Sequence, residues 1–354
     1  MIRDNKEGES VRSKQVAEEL NRFYVEIGPK LEEKIRWTGK NPKEFMGKKE
    51  TCEFKIKDVS VKEIEEILGI IKHKTSSGPD GVSTKVLRTL TREFAPISAK
   101  LVNISTITAT FPKNLNLARV QPLYKGEGKK NEATNYRPIS LLSCIGKIIE
   151  KVVARQLMNY LEEEGLLNNR QYGFRANRNV TQPILEIAQK IFEHINSREN
   201  RYVLMVLIDL KNAFDTIQHN LLLEKLKNYG IKGWALKWFE EYLSDREQYT
   251  EINGEKSGNR RMVCGVPQGS VLGPILFLIF INDLPNAMQI LTVLFADDTA
   301  MVKEGTDMEE LATELEQKLE TATEWFRANK LSLNVKKTKL IGINNLRKQS
   351  SNVP

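Results

Sequence analysis

The stretch RYVLMVLIDL (residues 201–210) contains an unbroken apolar run of strand length, 202–208. Asp209 follows this run directly. Because polar residues do not alternate with apolar ones, the run predicts a strand buried on both faces. A second stretch, LTVLFADDTAMV (291–302), has Ala-Asp-Asp-Thr between two apolar arms, which predicts a β-hairpin. If the two strands lie side by side, Asp209 comes close to Asp297 and Asp298.

Helices and further strands surround these two stretches. Apolar residues at helical spacing predict helices over 15–27, 61–72, 141–165 and 306–330, and residues 83–107 are predicted to be mostly helical. Short apolar segments predict a strand over 118–125, a hairpin formed by 248–254 and 259–266 with Asn253-Gly254 near its turn, and two short strands within 331–343. Strands separated by helices and including hairpins predict an α+β fold.

Composition excludes several classes of protein. The 354 residues are 40% hydrophobic and 28% charged, as is usual for a globular chain and not for a disordered one. Cys52, Cys144 and Cys264 are far apart, with no CxxC pair, which argues against a zinc site or a disulfide framework. The longest apolar stretch, 271–281, is 11 residues long and too short to span a bilayer. We therefore expect a soluble intracellular protein without a membrane partner.

The net charge is weak evidence about partners. Fifty-four Lys and Arg residues against 46 Asp and Glu residues give a formal charge of +8. This charge is compatible with a polyanionic partner, but on a chain of this length it is mild. An ordinary solvated surface explains it equally well.

The carboxylates at the ends of the two apolar stretches suggest metal chemistry. A carboxylate that ends a buried strand is unfavourable unless something neutralises it. Asp209 and Asp297 side by side would require protonation or a cation, and Mg²⁺ accepts carboxylate and phosphate oxygens. Each motif alone also has a simpler explanation: Asp209 would cap the following helix, and Asp297-Asp298 would form a turn.

Five motifs together resemble the ordered motifs of reverse transcriptases, most closely those of jockey-like non-LTR retrotransposons. The motifs fall in the family's order within residues 56–343: NYRPISLLSCIGKIIEKVVARQL (135–157), QYGFRANRNVTQ (171–182), IDLKNAFDTI (208–217), GVPQGSVLGPILFLIFINDLP (265–285) and FADDTA (295–300). The resemblance implies a right-hand polymerase, with a palm of antiparallel sheet and packed helices plus fingers. It also implies two Mg²⁺ ions, with Mn²⁺ as a substitute, and an RNA template, a nucleic-acid primer and dNTPs as partners. It leaves the oligomeric state open.

The resemblance assigns catalytic roles to four residues. Asp209, Asp297 and Asp298 match the family's metal-binding catalytic carboxylates, and Asp298 is expected to contribute least to metal binding. Lys337, in LNVKKT (333–338), matches the lysine proposed to protonate the pyrophosphate leaving group. A plain surface lysine is an equal alternative for Lys337, and its neighbour Lys336 is similar in character.

Four further residues match positions that bind the nucleotide. Phe214 resembles the steric gate that would collide with a ribose 2′-hydroxyl, although a core phenylalanine is the alternative. Gln268, in Pro267-Gln268-Gly269, matches the glutamine that lies against the nucleotide and template, or else it belongs to a loop that starts the next helix. Lys125 and Arg137 match fingers residues that grip the triphosphate, for which the alternative is two solvated cations.

The motif order predicts four regions along the chain. They are a charged helical extension (1–55), fingers with part of the palm (56–200), a palm with the catalytic carboxylates (201–343) and a disordered tail (344–354). No primer-grip hairpin, thumb or endonuclease motif is found, so the thumb is expected to be missing. Two rival functions stay open: an RNA-synthesising palm polymerase, against which Phe214 argues, and a truncated, catalytically silent nucleic-acid-binding remnant of a retroelement.

Overall fold

The computed structural model describes residues 2–37, 39–47, 52–196 and 201–345. Its helices are α1 (Ile2–Glu32), α2 (Val61–Ile70), α3 (Thr84–Thr89), α4 (Thr91–Ile107), α5 (Cys144–Glu163), α6 (Thr181–Ile195), α7 (His219–Asn228), α8 (Gly233–Leu243), α9 (Leu272–Ile281), α10 (Leu284–Met288) and α11 (Met308–Ala328). Its strands are β1 (Leu117–Tyr124), β2 (Tyr136–Leu141), β3 (Tyr202–Ile208), β4 (Glu247–Ile252), β5 (Glu255–Lys256), β6 (Arg260–Arg261), β7 (Leu291–Phe295), β8 (Asp298–Gly305) and β9 (Lys339–Asn344). This composition agrees with the predicted α+β class.

The chain is divided into two compact units, each assembled from separate segments. Unit 1 consists of Met1–Lys34, Lys48–Leu166 and Phe214–Ile279. Unit 2 consists of Ile35–Gly47, Leu167–Ala213 and Phe280–Pro354. The predicted regions 1–55, 56–200 and 201–343 describe functional parts of a polymerase and stay a prediction.

Unit 1 is built around a five-stranded sheet with the strand order β2-β1-β4-β5, in which β6 also pairs with β4. β1 pairs antiparallel with β2 and parallel with β4. The buried core includes an aromatic group in which the Trp238 and Tyr242 rings stack at 5.6 Å and Phe111 meets both rings edge-on. The indole of Trp238 donates to Ser105 Oγ at 3.0 Å, so this deeply buried N–H group is satisfied.

The long helix α1 packs against β4, β5 and β6 within unit 1. Asn21 is fully buried, and its amide donates to the backbone carbonyls of Gln248 and Gly258 at 3.2 and 2.8 Å. The amide of Gln248 donates back to Asn21 Oδ1 at 3.0 Å. Asn21 therefore joins α1 to a strand more than 220 residues further along the chain.

Unit 2 is built around an antiparallel four-stranded sheet with the order β7-β8-β3-β9. β3 is central and pairs with β8 from Tyr202↔Gly305 to Ile208↔Thr299. Helices α6 and α11 both contact β3, and α11 starts at Met308 because Asp307 accepts hydrogen bonds from the backbone amides of Glu309 and Glu310. β3 is the strand that the apolar run in residues 201–210 predicts. It is flanked by β8 on one edge and by β9 on the other.

The structure corrects three of the predicted secondary structures. The hairpin after Gln248 is shorter than predicted: β4 pairs with β5 around Asn253-Gly254, and the second arm is a strand only at Arg260–Arg261. Residues 331–343 form one strand of a sheet rather than two, because Leu333 makes only an isolated bridge, to Leu210. The predicted helix over 141–165 begins at Cys144, since Leu141 ends β2.

Two other expectations concern the predicted C-terminal tail and membrane-spanning helices. Residues 346–354, most of the predicted disordered tail, lie outside the described residues. None of the helices in the described ranges combines the length and the apolar character needed to cross a bilayer.

Candidate active site

Asp209 directly follows β3 in unit 2. Ile208, the last residue of β3, pairs with Thr299 of β8, so the chain arrives at Asp209 beside Asp298. Asp209 is half-buried. The strand that carries it is held between β8 and β9, which fixes the position of its backbone.

Asp297 and Asp298 lie at the turn of the β7–β8 hairpin. The last pair of the hairpin is Phe295↔Asp298, which leaves Ala296 and Asp297 as the turn residues. Ala296 has a φ of 57°, a left-handed conformation that is uncommon for a residue with a side chain. Asp297 is half-buried and Asp298 is exposed.

The segment Arg170–Gly173 supports this turn. Tyr172 N donates to Leu294 O, and Leu294 N donates to Arg170 O, both at 2.8 Å. The fully buried Gln171 accepts hydrogen bonds at Oε1 from the backbone amides of Gly173 and Ala296, at 2.8 and 3.2 Å. The QYGF sequence therefore supports the acidic turn with its backbone and with one buried amide side chain.

The strand register brings the three carboxylates to one edge of the sheet, and their electrostatics follow from it. Burial raises the pKa of Asp297 above its ordinary value, and the negative charges of Asp298 and Asp209 raise it further. Burial also raises the pKa of Asp298, again with a contribution from Asp209. The three residues therefore lie at one edge of the unit 2 sheet, and the charge of Asp209 disfavours the ionisation of Asp297 and Asp298.

This acidic site suits a divalent cation by its chemistry. Mg²⁺ binds through one or two carboxylates plus phosphate oxygens, and a bound cation relieves the repulsion among the carboxylates. The described residues nevertheless contain no group of three or more His, Cys, Asp or Glu side chains already arranged to hold a metal ion. The carboxylate oxygens of Asp209, Asp297 and Asp298 are the candidate metal ligands at this edge of the sheet.

Asn334 contacts the site, although nothing in the sequence analysis singles it out. Its side-chain Nδ2 donates to Asp209 Oδ2 at 2.6 Å, and its backbone amide donates to Asp209 O at 2.8 Å. The available signal was its position in LNVKKT, in which only the two lysines suggested chemistry. Lys337 follows in a turn, with its amide donating to Asn334 O at 2.9 Å, and both Lys336 and Lys337 are exposed.

Phe214 and Gln268 belong to unit 1. The Phe214 ring is half-buried and stacks on Phe277 of α9, with 4.9 Å between the ring centroids. Gln268 Nε2 donates to both carboxylate oxygens of Asp215, at 3.0 and 2.9 Å. Asp215 is thus a second residue that the sequence analysis missed, and it orients the amide of Gln268.

The loop that carries Gln268 is also held by its neighbours in unit 1. Ser140 N donates to Gln268 O at 2.8 Å, and a Cβ atom on Gly269 would lie 2.5 Å from Ser140 O. After the loop, the buried Glu150 accepts from the amides of Val271 and Leu272 at the start of α9. The close approach of residue 269 to the Ser140 carbonyl requires glycine at that position.

Lys125 and Arg137 lie at the same end of the β1–β2 hairpin. Arg137 is exposed on β2 opposite Leu123, and Lys125 follows β1. The Lys125 ammonium donates to Thr134 O at 2.6 Å, inside the loop between the two strands. One of the two predicted phosphate-binding cations therefore also contributes to the conformation of its own loop.

Comparison with known protein families identifies the family of this chain. The family model described as reverse transcriptase (RNA-dependent DNA polymerase) matches residues 128–350. This match implies the polymerase palm fold, and the antiparallel sheet with its packed helices is consistent with it. The chain belongs to the reverse transcriptase family.

Several relatives are proteins of mobile elements. A probable RNA-directed DNA polymerase from transposon BS of Drosophila melanogaster is 31% identical over 297 residues, which cover 80% of this chain and 32% of the relative. The RNA-directed DNA polymerase from mobile element jockey of the same organism is 25% identical over 79% of this chain and 31% of the relative. The predicted resemblance to jockey-like elements is confirmed. The chain spans about a third of the length of these relatives.

Proposed function

We propose that this chain carries the catalytic part of an RNA-directed DNA polymerase of a retrotransposon. In this reaction the 3′-hydroxyl of a primer on an RNA template attacks the α-phosphate of a dNTP, and pyrophosphate leaves. The observation that carries the proposal is the placement of three carboxylates, Asp209, Asp297 and Asp298, at one edge of the β3–β8 pair in a member of this family. The names of the relatives, which are RNA-directed DNA polymerases, support it.

The three carboxylates are proposed to hold two Mg²⁺ ions, for which Mn²⁺ can substitute. When bound, such ions polarise the attacking hydroxyl and stabilise the charge on the leaving oxygen. Asp209 and Asp297 are assigned the main part and Asp298 a weaker one, because Asp298 is the most exposed of the three. The protein needs no nucleophile of its own, so its residues act by positioning and by charge.

Two residues of unit 1 are assigned to the nucleotide. Phe214 presents a half-buried ring, supported from behind by Phe277, and such a rigid ring can exclude a 2′-hydroxyl. Gln268 has its amide nitrogen directed to Asp215, and its orientation is therefore fixed before a nucleotide binds. These contacts support a role in selecting deoxynucleotides for Phe214 and in positioning for Gln268.

Three basic residues are assigned to the phosphates. Arg137 and Lys125, at one end of the β1–β2 hairpin, are proposed to bind the triphosphate, and this hairpin is assigned to the fingers. The exposed Lys337 is proposed to donate a proton to the leaving pyrophosphate. The sheet of unit 2, with its acidic edge, is assigned to the palm.

Primer extension tests the proposal. The purified chain is mixed with a primed RNA template, dNTPs and Mg²⁺, alongside the variants Asp209→Asn, Asp297→Asn and Asp58→Asn. We expect extension by the wild type and a loss of at least roughly 100-fold in the first two variants, because each removes a charged oxygen donor. Asp58 is exposed in unit 1, so Asp58→Asn is a matched control that should extend normally.

Three outcomes would count against the proposal. Retained extension in Asp209→Asn or Asp297→Asn would remove the catalytic assignment. Template binding without any extension by the wild type would instead favour a silent nucleic-acid-binding protein. Preferential use of ribonucleotides by the wild type would identify an RNA-synthesising polymerase.

A further inference from the structure

We propose that Asn334 is a positioning residue of the active site, which holds the Asp209 carboxylate in the orientation that binds Mg²⁺. This inference rests on the proposed polymerase function and adds to it a residue outside the predicted acidic triad. It is carried by the geometry that joins residues 332–334 to residues 209–211.

Asn334 is bonded to Asp209 twice. The side-chain amide donates to Oδ2 at 2.6 Å. The backbone amide donates to Asp209 O at 2.8 Å. Both residues are half-buried, so water competes less for these bonds than it would at an exposed position.

The contact continues along the chain on both sides. Leu333 forms a bridge with Leu210, and Lys211 N donates to Ser332 O at 2.8 Å. Residues 332–334 therefore run beside residues 209–211 as a short extension of the pairing beyond β3. This backbone pairing places the Asn334 side chain at the carboxylate without requiring the side chain itself to fix the segment.

The carbonyl of Asn334 is held as firmly as its amide. It accepts hydrogen bonds from the backbone amides of Lys337 and Thr338, both at 2.9 Å, and from Thr338 Oγ1 at 3.1 Å. Hydrogen bonds thus hold the backbone of Asn334 in place, and its side chain is bonded to one carboxylate oxygen of Asp209. A side chain held in this way can limit the rotation of Asp209.

An amide suits this position for a chemical reason. It donates a hydrogen bond to the carboxylate but carries no charge, so it orients Asp209 without neutralising it. A lysine here would compete with a metal ion for the same oxygen, and an aspartate would place a second negative charge against Asp209. Residues that hydrogen-bond to metal-binding carboxylates commonly affect metal affinity or activity by about 10- to 100-fold.

The test compares Asn334→Ala and Asn334→Asp with the wild type and with Asn345→Ala. Asn345 is a matched control because its amide donates to Ile195 O at 2.8 Å and its Oδ1 accepts from Arg201 N, at the opposite end of β3 from Asp209. Two quantities are measured for each protein. One is the Mg²⁺ concentration that gives half-maximal primer extension, and the other is the rise in Tm produced by Mg²⁺ without nucleic acid.

We expect Asn334→Ala to need about tenfold more Mg²⁺ for both effects, in line with the range for such residues. Asn345→Ala should keep the wild-type Mg²⁺ dependence even if its Tm in EDTA falls. A purely structural role for Asn334 would lower the Tm in EDTA and leave both Mg²⁺ dependences unchanged, which would overturn the inference.

Asn334→Asp keeps the shape of the side chain and is used if the alanine variant does not fold. It removes the donor and adds a charge, so we expect a changed Mg²⁺ dependence in both measurements and a larger loss of extension. An unchanged Mg²⁺ dependence would refute the role of Asn334 while the wild type still extends primers. If the wild type itself does not extend, the proposed function fails, and the Tm measurement still decides whether Asn334 affects Mg²⁺ binding.

Discussion

At the scale of single residues, the candidate site combines destabilising charges with side chains that hold them in place. Asp297 and Asp298 have raised pKa values because burial and neighbouring carboxylates disfavour their ionisation. Asn334 and Gln171 bond to Asp209 and to the hairpin turn, respectively. The charges that the proposed function needs therefore lower the stability of the metal-free protein. A substitution that removes one of them should raise stability and reduce activity.

We predict that Asp297→Asn stabilises the metal-free protein at neutral pH. The raised pKa means that the folded protein binds more protons than the unfolded chain above the ordinary pKa of about 3.9, so this group makes stability fall as pH rises. The variant should show a Tm higher by roughly 2–4 °C at pH 7, equivalent to about 1 kcal/mol. Thermal unfolding in EDTA from pH 4 to pH 7 measures it.

The difference in Tm between Asp297→Asn and the wild type should grow with pH across that range. Addition of Mg²⁺ should reduce it, because a bound cation relieves the repulsion only in the wild type. A difference that does not depend on pH would contradict the assigned cause.

Phe214→Val is predicted to relax the choice of sugar. Removing the ring should raise ribonucleotide incorporation relative to deoxynucleotides by roughly 10- to 100-fold, the effect expected when a steric exclusion is lost. Competitive primer extension measures the ratio. Phe192→Val, which changes a phenylalanine of α6 that is 63% exposed, is the matched control and should leave the ratio unchanged.

If Phe214→Val lowers stability without altering the sugar preference, Phe214 is a core residue. The stacking on Phe277 is compatible with both roles, because one face of the ring packs while the side chain stays half-buried. Sequence reasoning left both roles open for the same reason: a phenylalanine at a helix start has no signature of its own.

At the scale of elements, the β7–β8 hairpin depends on a neighbouring segment that the sequence motif for the hairpin does not contain. Gly173 lies so close to the turn that an added Cβ atom would be 2.2 Å from Ala296 N and 2.9 Å from Ala296 Cα. Backbone atoms cannot move aside as flexible side chains can, so this glycine is required for close approach. The acidic turn and the QYGF segment therefore act as one element.

Gly173→Ala is predicted to destabilise unit 2 by about 1–3 kcal/mol, as overpacking usually does, and to reduce extension. Denaturant unfolding measures the loss. Gly342→Ala in β9 is the matched control, because its Cβ atom would meet only Leu204 Cδ2, at an ordinary 3.6 Å. Equal stability in the two variants would show that the hairpin tolerates displacement.

The strands and helices with strong patterns could be predicted from the sequence, and the irregular segments could not. The run of apolar residues in β3 and the pair of apolar arms in β7 and β8 leave little choice of structure. Residues 259–266 and 331–338 alternate apolar and polar residues over a few positions. Most of their backbone hydrogen bonds go to loops or to isolated residues, and not to a neighbouring strand. A local sequence pattern does not specify such distant partners. Asn334 and Asp215 were missed because their roles arise from such partners.

At the scale of the whole molecule, both units are assembled from segments that are far apart in the sequence. Unit 1 joins α1 and residues 48–166 to residues 214–279, and unit 2 joins residues 167–213 to the segment that begins at Phe280. The pattern of strands and helices predicted an α+β fold and the five motifs a resemblance to polymerases, but neither predicted this interleaving, because nothing in a local window specifies which distant segment it meets. The two units thus contain parts of several predicted regions.

Asn21→Ala is predicted to destabilise unit 1 by about 1–3 kcal/mol. The substitution removes the donor to the carbonyls of Gln248 and Gly258 and leaves the buried Gln248 amide without its acceptor, Asn21 Oδ1, and an unsatisfied buried polar group has a cost of this order. Guanidinium unfolding measures the change. Gln15→Ala removes an exposed amide from the same helix and should be nearly neutral, so equal effects would show that α1 contributes nothing specific through Asn21.

The pairing of α1 with β4, β5 and β6 has a consequence for synthesis on the ribosome. The helix is synthesised before the strands that it packs against, which are translated more than 200 residues later. At about 5–20 residues per second, the nascent chain therefore carries an uncovered helix for roughly 10–40 seconds. A cell that makes this protein has to shield that surface from aggregation during elongation, and synonymous codons that slow translation before residue 247 would lengthen the exposure.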